Sequence, residues 1–85
     1  MKIAIIEWND ACAYDTRHEL DHEYTPKKCV TIGFLISNTD KQVVVARGLE
    51  VDDRLTEGVM VIPKGWVTSI SEMEGPEVLK NIKED

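Results

Sequence analysis

Apolar and polar residues alternate in short blocks along this chain, and the blocks are strand-sized. Ile3 to Trp8 is apolar and β-branched on both faces and predicts a first strand over residues 3–8. Val30, Ile32, Phe34 and Ile36 alternate with Thr31, Gly33, Leu35 and Ser37, a period of two that predicts a strand over 29–37. Gly33 inside it predicts a bend or bulge. Ser37-Asn38-Thr39-Asp40-Lys41 has hairpin-turn chemistry, and Val43-Val44-Val45-Ala46 marks a third strand over 42–47. Two further strands are expected at 59–62 and 66–71, on either side of Pro63-Lys64-Gly65. Pro63 fixes φ and Gly65 permits a sharp reversal, so this corner predicts a turn.

The remaining segments are polar. Residues 13–28 predict a long surface connection, with room for a helical turn over 17–23. Leu49 to Gly58 predicts an acidic loop. In the tail, 72–85, Gly75-Pro76 starts either a short helix carrying Val78, Leu79 and Ile82 or a frayed end. Five short strands and no second domain, repeat or linker give an all-β expectation: one small, strongly bent five-stranded barrel.

Val59-Met60-Val61-Ile62 breaks the alternation, being apolar on both faces. A strand in a domain this small has one core to face. Its second face needs another cover, and a neighbouring copy of the chain is the expected one. The candidate oligomer interface is Val59, Met60, Val61 and Ile62 with Trp66, Val67 and Ile70.

Size and charge narrow the function. The chain has 85 residues. A domain of this length buries only about two-thirds of its unfolded surface, which leaves little room for a deep catalytic cleft. The formal net charge is −6, which argues against general coating of DNA. Met1 to Ile6 is too short an apolar run for a signal peptide, and no stretch reaches the length of a membrane helix. With only Cys12 and Cys29, and no CxxC, a reduced cytoplasmic protein is expected.

Candidate chemistry is sparse. His18-Glu19-Leu20-Asp21-His22 fits H-E-x-x-H, a spacing that on a helix sets two imidazoles on one face for zinc. These are the only histidines, and the segment is otherwise charged, so a solvated surface is the preferred reading. No metal, cofactor or catalytic residue is expected. Trp66 suits either packing or base stacking, Trp8 packing. Glu50, Asp52, Asp53 and Glu57 read as a solvated rim.

Together these features resemble the Sm-like family of Sm, LSm and Hfq proteins, and most closely its small phage-encoded, cyanophage-type members. Gly33-Phe34-Leu35, Asp40 and Val43-Val44-Val45 resemble the first Sm motif. Val61-Ile62-Pro63-Lys64-Gly65, followed by Val67 and Ile70, resembles the second. The resemblance spans residues 29–71 and strand one. It departs in four ways: the Asp lies one step further from the Gly, valine stands where the base-contacting Asn is usual, the family's N-terminal helix has no counterpart before strand one, and the connection between strands one and two is long. The resemblance implies a closed homo-oligomeric ring of roughly five to seven subunits. It implies weak binding of single-stranded RNA through Lys64 and Gly65 in the pore turn and through Asn38, Asp40 and Lys41, in the cytoplasm of an infected bacterium. The rival expectation is an SH3-like protein–protein adaptor or phage structural module without nucleic acid.

Overall fold

The computed structural model describes residues 1–11, 20 and 25–81. Five strands form one antiparallel sheet: β1 (Lys2–Asp10), β2 (Lys27–Asn38), β3 (Gln42–Glu50), β4 (Leu55–Pro63) and β5 (Val67–Glu74). The order across it is β4-β3-β2-β1-β5, so β4 and β5 are its two edges. A 3-10 turn, Lys64–Trp66, joins them, and a second, Glu77–Asn81, follows β5. The all-β expectation holds. The strand ladder does not close into a barrel, because no pairing joins β4 to β5.

That connection forces the sheet to curl. Pro63 and Val67 are separated by only the three residues of the 3-10 turn, so their Cα atoms lie no more than about 14 Å apart. In a flat five-stranded sheet the outer strands stand about 19 Å apart. The bend falls on β2. Its first part, Lys27 to Phe34, pairs with β1, and its last part, Phe34 to Asn38, pairs with β3. Phe34 alone belongs to both ladders. Register shifts between Leu35 and Ser37 and between Glu7 and Trp8 add local twist at the same bend and at the start of β5.

Gly33 sits at the bend but within register, opposite Ala4. It is there for close approach: a Cβ would meet the Ala46 carbonyl oxygen at 2.7 Å and Val45 Cβ at 3.2 Å. Gly65 is different. Its φ is not positive, and a Cβ there would meet nothing within 4 Å. The Pro63-Lys64-Gly65 corner turns as a 3-10 helix and does not need glycine.

The concave face carries the core. Ala4, Ile6, Val43, Val45 and Ile62 are fully or almost fully buried, and Trp8, Leu35, Val67 and Ile70 pack against them. The opposite face is also apolar. Met73, Ile3, Phe34, Ala46 and Val59 stand in one register row across all five strands. Val30 and Ile32 on that face are 64% and 63% exposed, and Val59 and Val61 are 50% and 53% exposed. The doubly apolar pattern read at 3–8 and 59–62 thus reflects two apolar faces, of which this chain buries one.

Residues 49–58, expected as an acidic loop, are mostly strand. Gly48, Leu49 and Glu50 pair with Glu57, Thr56 and Leu55, and only 51–54 form the turn. The ladder keeps its register across Gly58, whose φ of +62° is one that glycine adopts readily, and so it resumes beyond it whatever the charge of the residues. Beyond Ala46 this hairpin has no partner in β2, and it projects as a two-stranded arm. The tail expected from residue 72 also starts later. Glu72 to Glu74 remain in β5, and the following 3-10 turn is anchored by buried Leu79.

Gly33→Ala is expected to destabilise the fold by about 1–3 kcal/mol, because the added methyl meets backbone that cannot swing aside. Gly65→Ala is expected to stay within about 0.5 kcal/mol of the parent. Urea unfolding of both variants checks this, and equal costs would refute the close-approach role of Gly33.

Candidate nucleic-acid interface

Two turns meet at one end of the β3–β4 ladder. The first is the β2–β3 turn, Thr39-Asp40-Lys41, built around a threonine. Thr39 N donates to the Gln42 carbonyl at 2.9 Å, and its hydroxyl oxygen accepts from Lys41 N and Gln42 N at 3.3 Å each. The second is the 3-10 turn after β4. Opposite Pro63 stands Gln42, so the register of β3 and β4 delivers the second turn beside the first. Lys64 then joins them twice. Its backbone N–H donates to the Lys41 carbonyl at 2.9 Å, and its Nζ donates to Asn38 Oδ1.

The structure therefore brings together the residues that the sequence placed in two separate loops: Asn38, Asp40, Lys41, Lys64 and Gly65. Asn38, Asp40, Lys41 and Gly65 are exposed, and Lys64 is half-buried. Two ammonium groups and one carboxylate give the cluster a local charge of +1 on a chain of −6. Asn38 steers the Lys64 side chain toward the β2–β3 turn, and an exposed ammonium is a group that can meet a phosphate.

Next to it lies an aromatic pair. Trp66 ends the 3-10 turn, one residue before β5, and so does not begin that strand. Its ring stacks on Trp8 with centroids 6.3 Å apart and planes 12° from parallel. Trp8 is fixed in turn: its Nε1 donates to Thr31 Oγ1 at 2.9 Å, and the Thr31 hydroxyl lies 3.7 Å from Met60 Sδ. Thr68 Oγ1 donates to the Glu7 carbonyl at 3.0 Å and ties the start of β5 to β1 beside them. One indole face of Trp66 is spent on Trp8, yet the residue remains 40% exposed.

The other basic residues do not all join the cluster. Arg47 lies on the arm beside Gly58. Lys27 and Lys28 begin β2 at the end nearest the tryptophans. Pro26 shares a groove with Gly65 and Trp66, and Lys28 shares one with Trp8 and Thr68.

Among the expected interface residues, Val59, Met60 and Val61 are exposed on the β4 edge. Ile62 is a correction: it is fully buried in the chain's own core and has no surface for a second copy. Its alternation with Val61 across the pleat explains the difference. Val67 and Ile70 are half-buried against the same core. Cys29 is a free, half-buried thiol, and its Sγ lies 3.8 Å from the Lys27 carbonyl. Cys12, His18 and His22 lie outside the described residues. Among the described residues no group of three His, Cys, Asp or Glu side chains is placed to hold a metal ion. No described helix is long and apolar enough to cross a membrane.

Sequence reasoning missed the Asn38–Lys64 link and the tryptophan stack. Both join residues far apart in the chain. The available signal was topological: with β3 and β4 paired as a hairpin, the turn entering β3 and the turn leaving β4 must be neighbours.

In comparison with known proteins, no family model matches the chain, and no curated protein or solved structure matches it.

The solvated reading of the HELDH segment has a direct check. Purified protein is expected to carry no stoichiometric zinc, and replacing His18 and His22 together by Ala is expected to shift stability by no more than about 0.5 kcal/mol. Elemental analysis that finds one zinc per chain, lost in the double variant, would overturn it.

Proposed function

We propose that the protein is a non-catalytic, Sm-like module that assembles with copies of itself into a ring and binds single-stranded RNA weakly. The observation that carries this reading is the pair of edge strands. Among the described residues β4 and β5 are each paired on one side only, and each has an exposed apolar residue: Val59 and Val61 on β4, Met73 on β5. An exposed apolar edge in a soluble protein is normally covered. Pairing β4 of one copy with β5 of the next is head-to-tail, and such a contact either closes as a ring or runs on as a fibre; the ring is the form proposed here. It also sets Met73 of one copy beside the Val59 row of its neighbour, so the apolar row continues from subunit to subunit.

The turn that joins the two edges carries Lys64. In a ring this turn recurs once per copy, and the Lys41–Lys64 cluster becomes a multivalent circle of positive charge. That supports phosphate binding by an otherwise acidic chain. Valine at 43 and 44 supplies no hydrogen bond to a base, so uridine selectivity through those positions is weak. The phage origin implied by the sequence resemblance would set this binding in the cytoplasm of an infected bacterium. The adaptor reading draws support from the net charge of −6 and from the second apolar face, and it becomes the better one if RNA does not bind.

Light scattering on the eluting protein is expected to give a single oligomer of roughly five to seven copies. Val61→Lys, which sets a charge on the β4 edge, is expected to shift it to smaller species with unchanged circular dichroism. A parent protein that elutes as a monomer at micromolar concentration sinks the ring.

RNA binding is tested by fluorescence anisotropy with short labelled oligomers. The parent is expected to bind with a dissociation constant on the order of 10⁻⁵ M, weakening as salt rises. Lys64→Glu is expected to lose this binding and keep the oligomer. Equal binding by parent and Lys64→Glu would move the site elsewhere.

A further inference from the structure

We propose that the exposed face of Trp66 is a stacking platform for one nucleobase of the bound strand. The proposal rests on the single-strand reading above and adds a base-contacting site to it.

Four observations converge on this residue. First, Trp66 is rigid: its inner face stacks on Trp8, and Trp8 is held by a hydrogen bond to Thr31. A platform fixed before binding loses little conformational entropy when a ligand arrives. Second, it is open: 40% of the residue is exposed, on a module whose concave face is otherwise packed. Third, it borders a groove of about 260 Å³ lined by Asn9, Pro26, Gly65 and Thr68 with Trp66 itself. A second groove of about 320 Å³, which shares Asn9 and Thr68, runs on toward Lys28. Fourth, two lysines lie nearby: Lys64 is two residues before Trp66 in the same turn, with its Nζ turned to Asn38, and Lys28 lines the adjoining groove together with Glu7.

A flat apolar face near lysines fits a base of a strand whose phosphates those lysines can reach. The ring is hydrophobic and polarisable, and every base presents a π face to it, so the contact is tolerant of sequence. Asn9, in the same groove, offers one amide to a base edge. A proline-rich peptide also docks against aromatic grooves, but it has no anion for Lys28 and Lys64 to meet. The chain can then hold a strand at two kinds of point: phosphate at the Lys41–Lys64 cluster and a base at Trp66.

Gly65 provides a clean test. Apart from its chain neighbours, a Cβ there meets no described atom within 4 Å, so Gly65→Leu can place its side chain at the groove without a backbone clash. Trp66→Ala removes the platform, and Trp66→Phe keeps a smaller one. The probes are a short labelled oligouridine and an abasic ribose-phosphate oligomer of equal length. The expected result is that Gly65→Leu and Trp66→Ala each bind oligouridine about ten-fold more weakly, while Trp66→Phe keeps most of the affinity. The salt dependence should not change, since no phosphate contact is lost. The abasic oligomer should bind the parent as weakly as oligouridine binds Trp66→Ala. Oligouridine should also quench the indole fluorescence of the parent but not that of Gly65→Leu.

Failure has two distinguishable forms. If Gly65→Leu and Trp66→Ala bind like the parent while Lys64→Glu does not bind, the platform is refuted and the phosphate cluster stands. If no oligomer binds the parent, and most plainly if a proline-rich peptide does so and loses affinity in Gly65→Leu, both the platform and the RNA reading fall.

Discussion

The structure depends on the shortness of the link between its two edge strands. Three residues carry the chain from the last strand paired on one side of the sheet to the last strand paired on the other. No flat arrangement permits that. The curl follows, and with it the concave face, the core it encloses and the meeting of Trp66 with Trp8. Gly33, the split pairing of β2 and the two register shifts are the places where the backbone absorbs this curvature. The core that results is thin, with few fully buried side chains, and the second apolar face remains outside it. The proposed ring would add burial that folding alone leaves incomplete.

Much of this architecture was legible in the sequence. Strict alternation through Val30 to Ser37 and the valine run at 43–45 marked strands, and Asn38 to Lys41 marked the turn between them. Doubly apolar runs marked strands with two faces to cover. The strand ends were not legible. Gly48 to Glu50 and Leu55 to Glu57 carry charges and a glycine and resemble loop by composition, yet they pair. Hairpin pairing is set by the register inherited from Val43 to Ala46, and that is a non-local fact. Ile62 illustrates the same limit. Val59 and Val61 lie on the other pleat face, but Met60 shares the face of Ile62 and is still exposed, so both the pleat and the position along the strand decide that Ile62 is buried.

The site was legible as residue types and not as an assembly. Lys64 and Asn38 each belonged to a recognisable turn. Their joining depends on the register of β3 against β4, which no local pattern states. The tryptophans are a stronger case. By sequence Trp8 was a packing residue and Trp66 suited either packing or stacking, yet only the curl stacks the two rings and sets Trp66 at the border of a groove. Chemistry of this kind arises from strand order and not from a motif, so composition alone, acidic as it is, obscures it.

The arm formed by the far ends of β3 and β4 has its own consequence. Among the described residues it pairs beyond Ala46 only with itself, and the link, the bend and the core all lie on the other side of that point. Its length is thus an adjustable dimension. Residues added or removed symmetrically about the 51–54 turn extend or shorten the ladder without shifting the register behind it. Closing a longer hairpin costs little additional entropy. The tip is where this molecule can accept an insertion, acquire a new reach or lose one, while everything that shapes the sheet stays as it is.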